Sequence, residues 1–92
     1  MRLVDPTDFE ILAALAETGR NNAANLAHVL DRDRSYINTR LPVLTDYGLL
    51  NRVGPAPNSG LYEITDAGRR AVEHQDLYKD DEDAFDAAVA GE

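Results

Sequence analysis

Residues 22–48 read NAANLAHVLDRDRSYINTRLPVLTDYG, and this stretch decides the fold. Leu26, Val29 and Leu30 fall at i, i+3, i+4, the spacing of one helical face. Asn21 or Asn22 can cap that helix, and Ala23, Ala24 and Ala27 keep it slim enough for a second helix to cross it closely. Asp31-Arg32-Asp33 is a short polar break. Asp33 can then cap a third helix running to about Tyr47, with Ile37, Leu41 and Leu44 as its apolar stripe. Ser35, Thr39, Pro42 and Asp46 lie opposite the stripe, flanked by Tyr36 and Asn38. Pro42 removes one backbone hydrogen bond and predicts a kink, but the stripe continues past it and Gly48 marks the end.

Upstream, residues 5–19 predict a first helix. Asp5-Pro6 offers a cap followed by proline, Thr7 with Glu10 is a competing capping box, and Gly19 is a stop. Downstream, Leu49–Val53 and the alternating Leu61-Tyr62-Glu63-Ile64-Thr65 predict two strands around the turn-forming residues 54–60. Thr65 can cap a fourth helix from Asp66. The order helix, helix, helix, strand, strand, helix is mainly α with a small β-hairpin, and a slim helix, a turn and an amphipathic helix make a helix-turn-helix.

Asn25-Leu26-Ala27, Ser35-Tyr36-Ile37-Asn38, Arg40-Leu41-Pro42-Val43-Leu44 and Tyr47-Gly48-Leu49-Leu50 resemble a winged helix-turn-helix transcriptional regulator. So does Gly60-Leu61-Tyr62-Glu63-Ile64-Thr65-Asp66-Ala67-Gly68, where a wing strand runs into T-x-x-G. Within that class the chain is similar to the small haloarchaeal regulators that look like the repressor of phage phi-H. The resemblance covers about residues 7–70. It implies three helices, a two-stranded wing and a C-terminal helix, in a dimeric DNA-binding repressor or activator. It also implies that the third helix enters the major groove while the wing lies along the flanking backbone.

The chemistry of the third helix suits that role. Its N-terminal part carries Arg34, Ser35, Tyr36, Asn38 and Thr39, the candidate base contacts. Arginine bonds guanine O6 and N7 in pairs, asparagine does the same with adenine N6 and N7, and a threonine methyl can touch thymine. Tyr36 can equally pack sideways on the second helix. Candidate phosphate contacts are Arg20, Asn22, Arg32 and Arg52. Arg40 lies nearer the apolar stripe, where an ion pair within the protein competes with phosphate. Residues 20–52 hold five arginines and three aspartates and are the one basic region. The wing tip from Gly54 to Gly60 has no Lys or Arg, leaving Asn58, Ser59 and backbone amides as its donors.

The composition points another way at first. The chain has 92 residues, with 17 acidic against 9 basic side chains and a formal charge of −8, a poor start for a nucleic-acid binder. The distribution changes this. Residues 1–70 hold 9 acids and 8 arginines, a net of −1, whereas residues 71–92 hold 8 acids and Lys79, a net of −7. The division is therefore a DNA-binding body over 1–70 and an acidic C-terminal helix or tail over 71–92. Ala71, Tyr78 and Phe85 are seven apart and Val89 continues the face, a thin heptad pattern that makes the tail a candidate dimerisation segment. A frayed helix or disordered end is the competing reading. Abundant Asp with a single Lys also suits a chain adapted to a high-salt cytoplasm, where a Debye length of roughly 3 Å at 1 M screens repulsion from DNA.

Other classes have less support. Cysteine is absent, which excludes thiolate catalysis and Cys-ligated zinc. His28 and His74 have no matching ligand cluster, and Asp80-Asp81-Glu82-Asp83 lacks the spacing of a calcium loop. No cofactor, metal or small-molecule ligand is indicated, no nucleophile–base pair is visible, and an enzyme is not expected. Apolar runs fall far short of the roughly 20 residues of a membrane span, and no signal peptide is evident, so the expected location is cytoplasmic. The alternative function is a winged-helix module that binds protein instead of DNA.

Overall fold

A computed structural model describes residues 1–56 and 59–91. Helix α1 spans Thr7–Thr18, strand β1 Arg20–Asn22, α2 Ala23–Leu30 and α3 Arg34–Asp46. Strands β2 (Leu50–Val53) and β3 (Leu61–Ile64) follow, then α4 (Asp66–Glu73), α5 (Gln75–Asp80) and α6 (Glu82–Ala90).

The caps explain most boundaries. The Asn22 side chain accepts from the Asn25 N–H and opens α2; Asp33 accepts from the Ser35 N–H and opens α3. Thr65 accepts from the Gly68 N–H and opens α4. The start of α1 differs from expectation. Pro6 stands at its N-cap without a side-chain cap. Asp8 instead reaches back, its Oδ2 accepting from the Val4 N–H at 2.7 Å. The Thr7–Glu10 box does not form: the Glu10 N–H donates to the Pro6 carbonyl, and the Glu10 carboxylate pairs with Arg32. Between α2 and α3 the chain turns at Asp31, with φ 53°, a conformation that aspartate tolerates better than most residues. Helix α3 runs through Pro42 to Asp46.

The sheet has three strands, not two. The order is β1-β3-β2, all antiparallel, so β3 is central. Arg20, Asn21 and Asn22 stand opposite Glu63, Tyr62 and Leu61, while Leu50 to Val53 stand opposite Ile64 to Leu61. The extra strand β1 lacks any apolar alternation and owes its form to pairing with β3.

One core joins all these elements. Phe9, Ile11, Leu12 and Leu15 of α1, Leu26 of α2, and Ile37, Leu41 and Leu44 of α3 are buried with Leu49, Leu50 and Ile64. The acidic C-terminal segment belongs to the same core. Asp81 caps α6 by accepting from the Ala84 N–H, and Gly91 ends it in the left-handed region. Ala71, Phe85 and Val89 are buried in that core, and Tyr78 packs against it. Phe9, Tyr78 and Phe85 form an edge-to-face trio with centroids 5.0–5.9 Å apart. The Tyr78 hydroxyl accepts from the Leu3 N–H and donates to the Leu3 carbonyl, tying the N-terminal segment to α5. The face read as a candidate seam is thus covered by the chain's own body. Burying a Phe or Val side chain stabilises by about 1.5–3 kcal/mol, which favours folding the charged tail back onto the body.

Candidate nucleic-acid interface

The apolar stripe of α3 sets what the helix shows to solvent. With Ile37, Leu41 and Leu44 fully buried, the 3.6-residue period turns Ser35 and Thr39 outward with Asn38 on the flank, while Arg34 stands clear as the first residue of the helix; all four are exposed. Tyr36 is 40% exposed, so it stands on the rim of this face. The five candidate base contacts therefore share the N-terminal half of α3, with Arg34 and Tyr36 on opposite flanks of its exposed side. The Thr39 hydroxyl donates to the Tyr36 carbonyl at 2.6 Å. Arg34, Ser35 and Asn38 make no side-chain hydrogen bond or ion pair to the described residues through the guanidinium, hydroxyl or amide.

Behind this face α3 is clamped. The Arg40 Nε donates to Asp8 Oδ1 at 2.9 Å and its terminal nitrogen to Asp8 Oδ2 at 2.7 Å. Asp8 is fully buried and Arg40 mostly so. The hydrogen-bonded Asp8 carboxylate raises the Arg40 pKa above its ordinary value, against the opposing effect of burial. Arg40 therefore fixes α3 onto α1 and is not displayed for phosphate. Asp8 is the positioning residue that the sequence reading missed; its partner lies 32 residues away, beyond any local spacing rule.

The other phosphate candidates are dispersed. Arg32 binds Glu10 at 2.6 Å, and Arg20 binds Glu63 at 3.2 Å. Arg52 lies over the Tyr62 ring, 5.8 Å from its centroid. Arg20 stands opposite Glu63 and Arg52 opposite Tyr62. Neighbouring residues of a strand face opposite sides, so Arg20 and Arg52 occupy opposite edges and opposite faces of the sheet. They do not make one basic surface. Asn22 is exposed, its carbonyl oxygen engaged in the α2 cap. On the wing, the Ser59 hydroxyl donates to the Val53 carbonyl, closing the loop and occupying its proton; Asn58 lies outside the described residues.

The helix-turn-helix and wing are joined through Thr65 and Gly68. Thr65 Oγ1 donates to the Gly48 carbonyl at 2.7 Å and accepts from the Gly68 N–H at 3.0 Å. A Cβ on Gly68 would lie 2.3 Å from the Leu49 carbonyl oxygen and 2.6 Å from Ile64 Cγ1. The T-x-x-G element thus locks the end of α3, the root of the wing and α4 together.

Residues 4–51, more than half of the chain, match the model of a family described as winged helix-turn-helix DNA-binding. The chain belongs to that family. Solved structures share the winged helix-turn-helix fold. The oxidized form of MarR from E. coli matches with TM-score 0.67 and 22% identity, over 96% of this chain and 62% of that one. A mutant MarR from E. coli complexed with operator DNA matches with TM-score 0.65 and 23% identity, over 89% of this chain and 61% of that one. The chain spans about three-fifths of the length of these structures. No curated protein matches it. Among the described residues of this winged helix-turn-helix protein, no three metal-ligating side chains converge. No described helix is long and apolar enough to cross a membrane.

Proposed function

We propose that the protein is a sequence-specific DNA-binding transcriptional regulator that reads the major groove with the N-terminal half of α3. One observation carries this reading. Arg34, Ser35, Asn38 and Thr39 form an exposed polar face on a helix held from behind by a buried Arg40–Asp8 pair. A rigid support with free donors and acceptors in front suits base-edge recognition. Family membership supports it, as does the likeness to a MarR bound to operator DNA. In this reading Arg34, Ser35, Tyr36, Asn38 and Thr39 meet bases. Asn22 and the N-terminus of α2 meet the backbone, and Arg20, Arg32 and Arg52 contribute weakly after giving up their partners.

The regulator acts as a homodimeric repressor. Two copies supply two recognition helices for half-sites one turn apart, and occupancy of a promoter is sufficient to block it. The motif likeness to the haloarchaeal phi-H repressor group and the excess of Asp over Lys support working conditions at high salt inside the cell. A fluorescence titration with duplexes selected from random DNA tests the reading: tight, sequence-dependent binding supports it, and binding that ignores substitutions on α3 refutes it.

A second reading rests on the net charge of −8 and on Val29, which is 67% exposed on α2. Both suit a module that binds protein. Absence of binding to every selected duplex at low salt would favour it.

A further inference from the structure

We infer that Arg34 is a specificity-determining residue that recognises one guanine in each half-site. The inference rests on the DNA-binding reading and narrows it to a single side chain.

The first support is how the chain uses its arginines. The nine basic residues are eight arginines and Lys79. Arg20, Arg32 and Arg40 bind carboxylates. Arg69 and Arg70 donate to the carbonyls of Ala16 and Val89, and Arg52 lies over Tyr62. Only Arg2 and Arg34 have no side-chain partner among the described residues. The main chain of Arg2 is held by Tyr47 at the C-terminal end of α3, roughly 20 Å along the helix from Arg34 at a rise of 1.5 Å per residue. Among the described residues, Arg34 is therefore the one uncommitted cation at the exposed N-terminal end of α3.

The second support is independent. Arg34 is the first residue of α3, where the helix dipole disfavours positive charge. No acidic residue occupies the first turn of α3. The carboxylate of Asp33, at the N-cap, accepts from the Ser35 N–H and makes no ion pair with Arg34. A guanidinium kept at a helix N-terminus with no ion pair among the described residues suits an external partner. The planar guanidinium matches guanine O6 and N7 with two parallel bonds, a geometry that the lysine ammonium cannot reproduce.

The test begins with the full chain and a pool of random duplexes at fixed KCl. Each guanine of the selected site is then replaced in turn, and affinities are measured for the wild-type protein, Arg34→Ala, Arg34→Lys and Asn38→Ala. In the wild type, replacing one guanine per half-site should weaken binding roughly 5- to 150-fold. Arg34→Ala should lose the discrimination at that guanine and keep it elsewhere, and Arg34→Lys should not restore it. Circular dichroism should show both variants folded, because the side chain is exposed. Equal weakening on all duplexes, with a salt slope lower by about 1, would mean a phosphate contact and overturn the proposal. If Arg34→Ala kept full discrimination while Asn38→Ala relaxed an adenine, the proposal would fail and the DNA-binding reading would stand. If the wild type enriched no duplex, the reading itself would fall, and the proposal with it, before any variant was made.

Discussion

Arg40 grips both carboxylate oxygens of Asp8 through two parallel hydrogen bonds of 2.9 and 2.7 Å, and this pair ties α3 to α1. Asp8 also accepts from the Val4 N–H, so removing Arg40 leaves a fully buried carboxylate with a single neutral donor. Breaking such a pair costs about 3–5 kcal/mol. Arg40→Ala should lose that much in denaturant unfolding, whereas Arg34→Ala on the exposed end should change stability little. The Arg40 pKa is raised by Asp8. A raised folded-state pKa means that the contribution is complete below the unfolded value and lost only as pH rises through the folded one. The stability difference between wild type and Arg40→Ala should therefore stay constant from neutral pH through about 10.4, where lysines titrate.

Gly68 is set by contact, not by backbone angle. A methyl group there meets the Leu49 carbonyl and Ile64, and forced overpacking costs about 1–3 kcal/mol. Gly68→Ala should lower the melting temperature accordingly. Thr65→Ala removes the α4 cap and the bond to Gly48, and loss of such a cap costs about 0.5–2 kcal/mol. A combined loss well below the sum of the two is expected, because both act on the same junction.

Phe85 contacts Phe9 and Tyr78 inside the protomer. Phe85→Ala should destabilise by about 3–5 kcal/mol in unfolding measurements on the full chain. If the tail were free, the substitution would leave the unfolding midpoint unmoved.

The helix-turn-helix and the hairpin were legible because their signals are local. Asn22, Asp33 and Thr65 sit one residue before the helices that they cap, and Leu26, Ile37, Leu41 and Leu44 keep helical spacing. Strand β1 was not legible: Arg20-Asn21-Asn22 has no apolar face, and only the edge of β3 makes it a strand. The fold-back of α5 and α6 was half legible. The periodicity of Ala71, Tyr78, Phe85 and Val89 was visible, but period alone does not say whether the body or a second chain covers the face. The exposure of Ser35 and Thr39 followed from the stripe opposite them. The fates of Arg20, Arg32 and Arg40 did not, since Glu63, Glu10 and Asp8 are distant in sequence.

The charge distribution predicts a salt response. Residues 71–92 carry a net of −7, and Asp80 to Asp83 are exposed at the junction of α5 and α6. Raising KCl from about 0.1 M to about 1 M shortens the Debye length from roughly 10 Å to roughly 3 Å and screens this repulsion. The melting temperature should rise over that range. With few uncommitted cations, the dependence of DNA affinity on salt should be shallow compared with a slope of about −10 for a strongly phosphate-bound repressor.

The most direct test of the central claim is a titration of one selected duplex and its scrambled counterpart with wild-type protein and with Asn38→Ala, followed by fluorescence anisotropy. The account predicts that the wild type prefers the selected duplex by at least about 10³-fold, and that Asn38→Ala loses a large part of that preference while remaining folded. Equal wild-type affinity for both duplexes, or a preference untouched by the substitution, would contradict it.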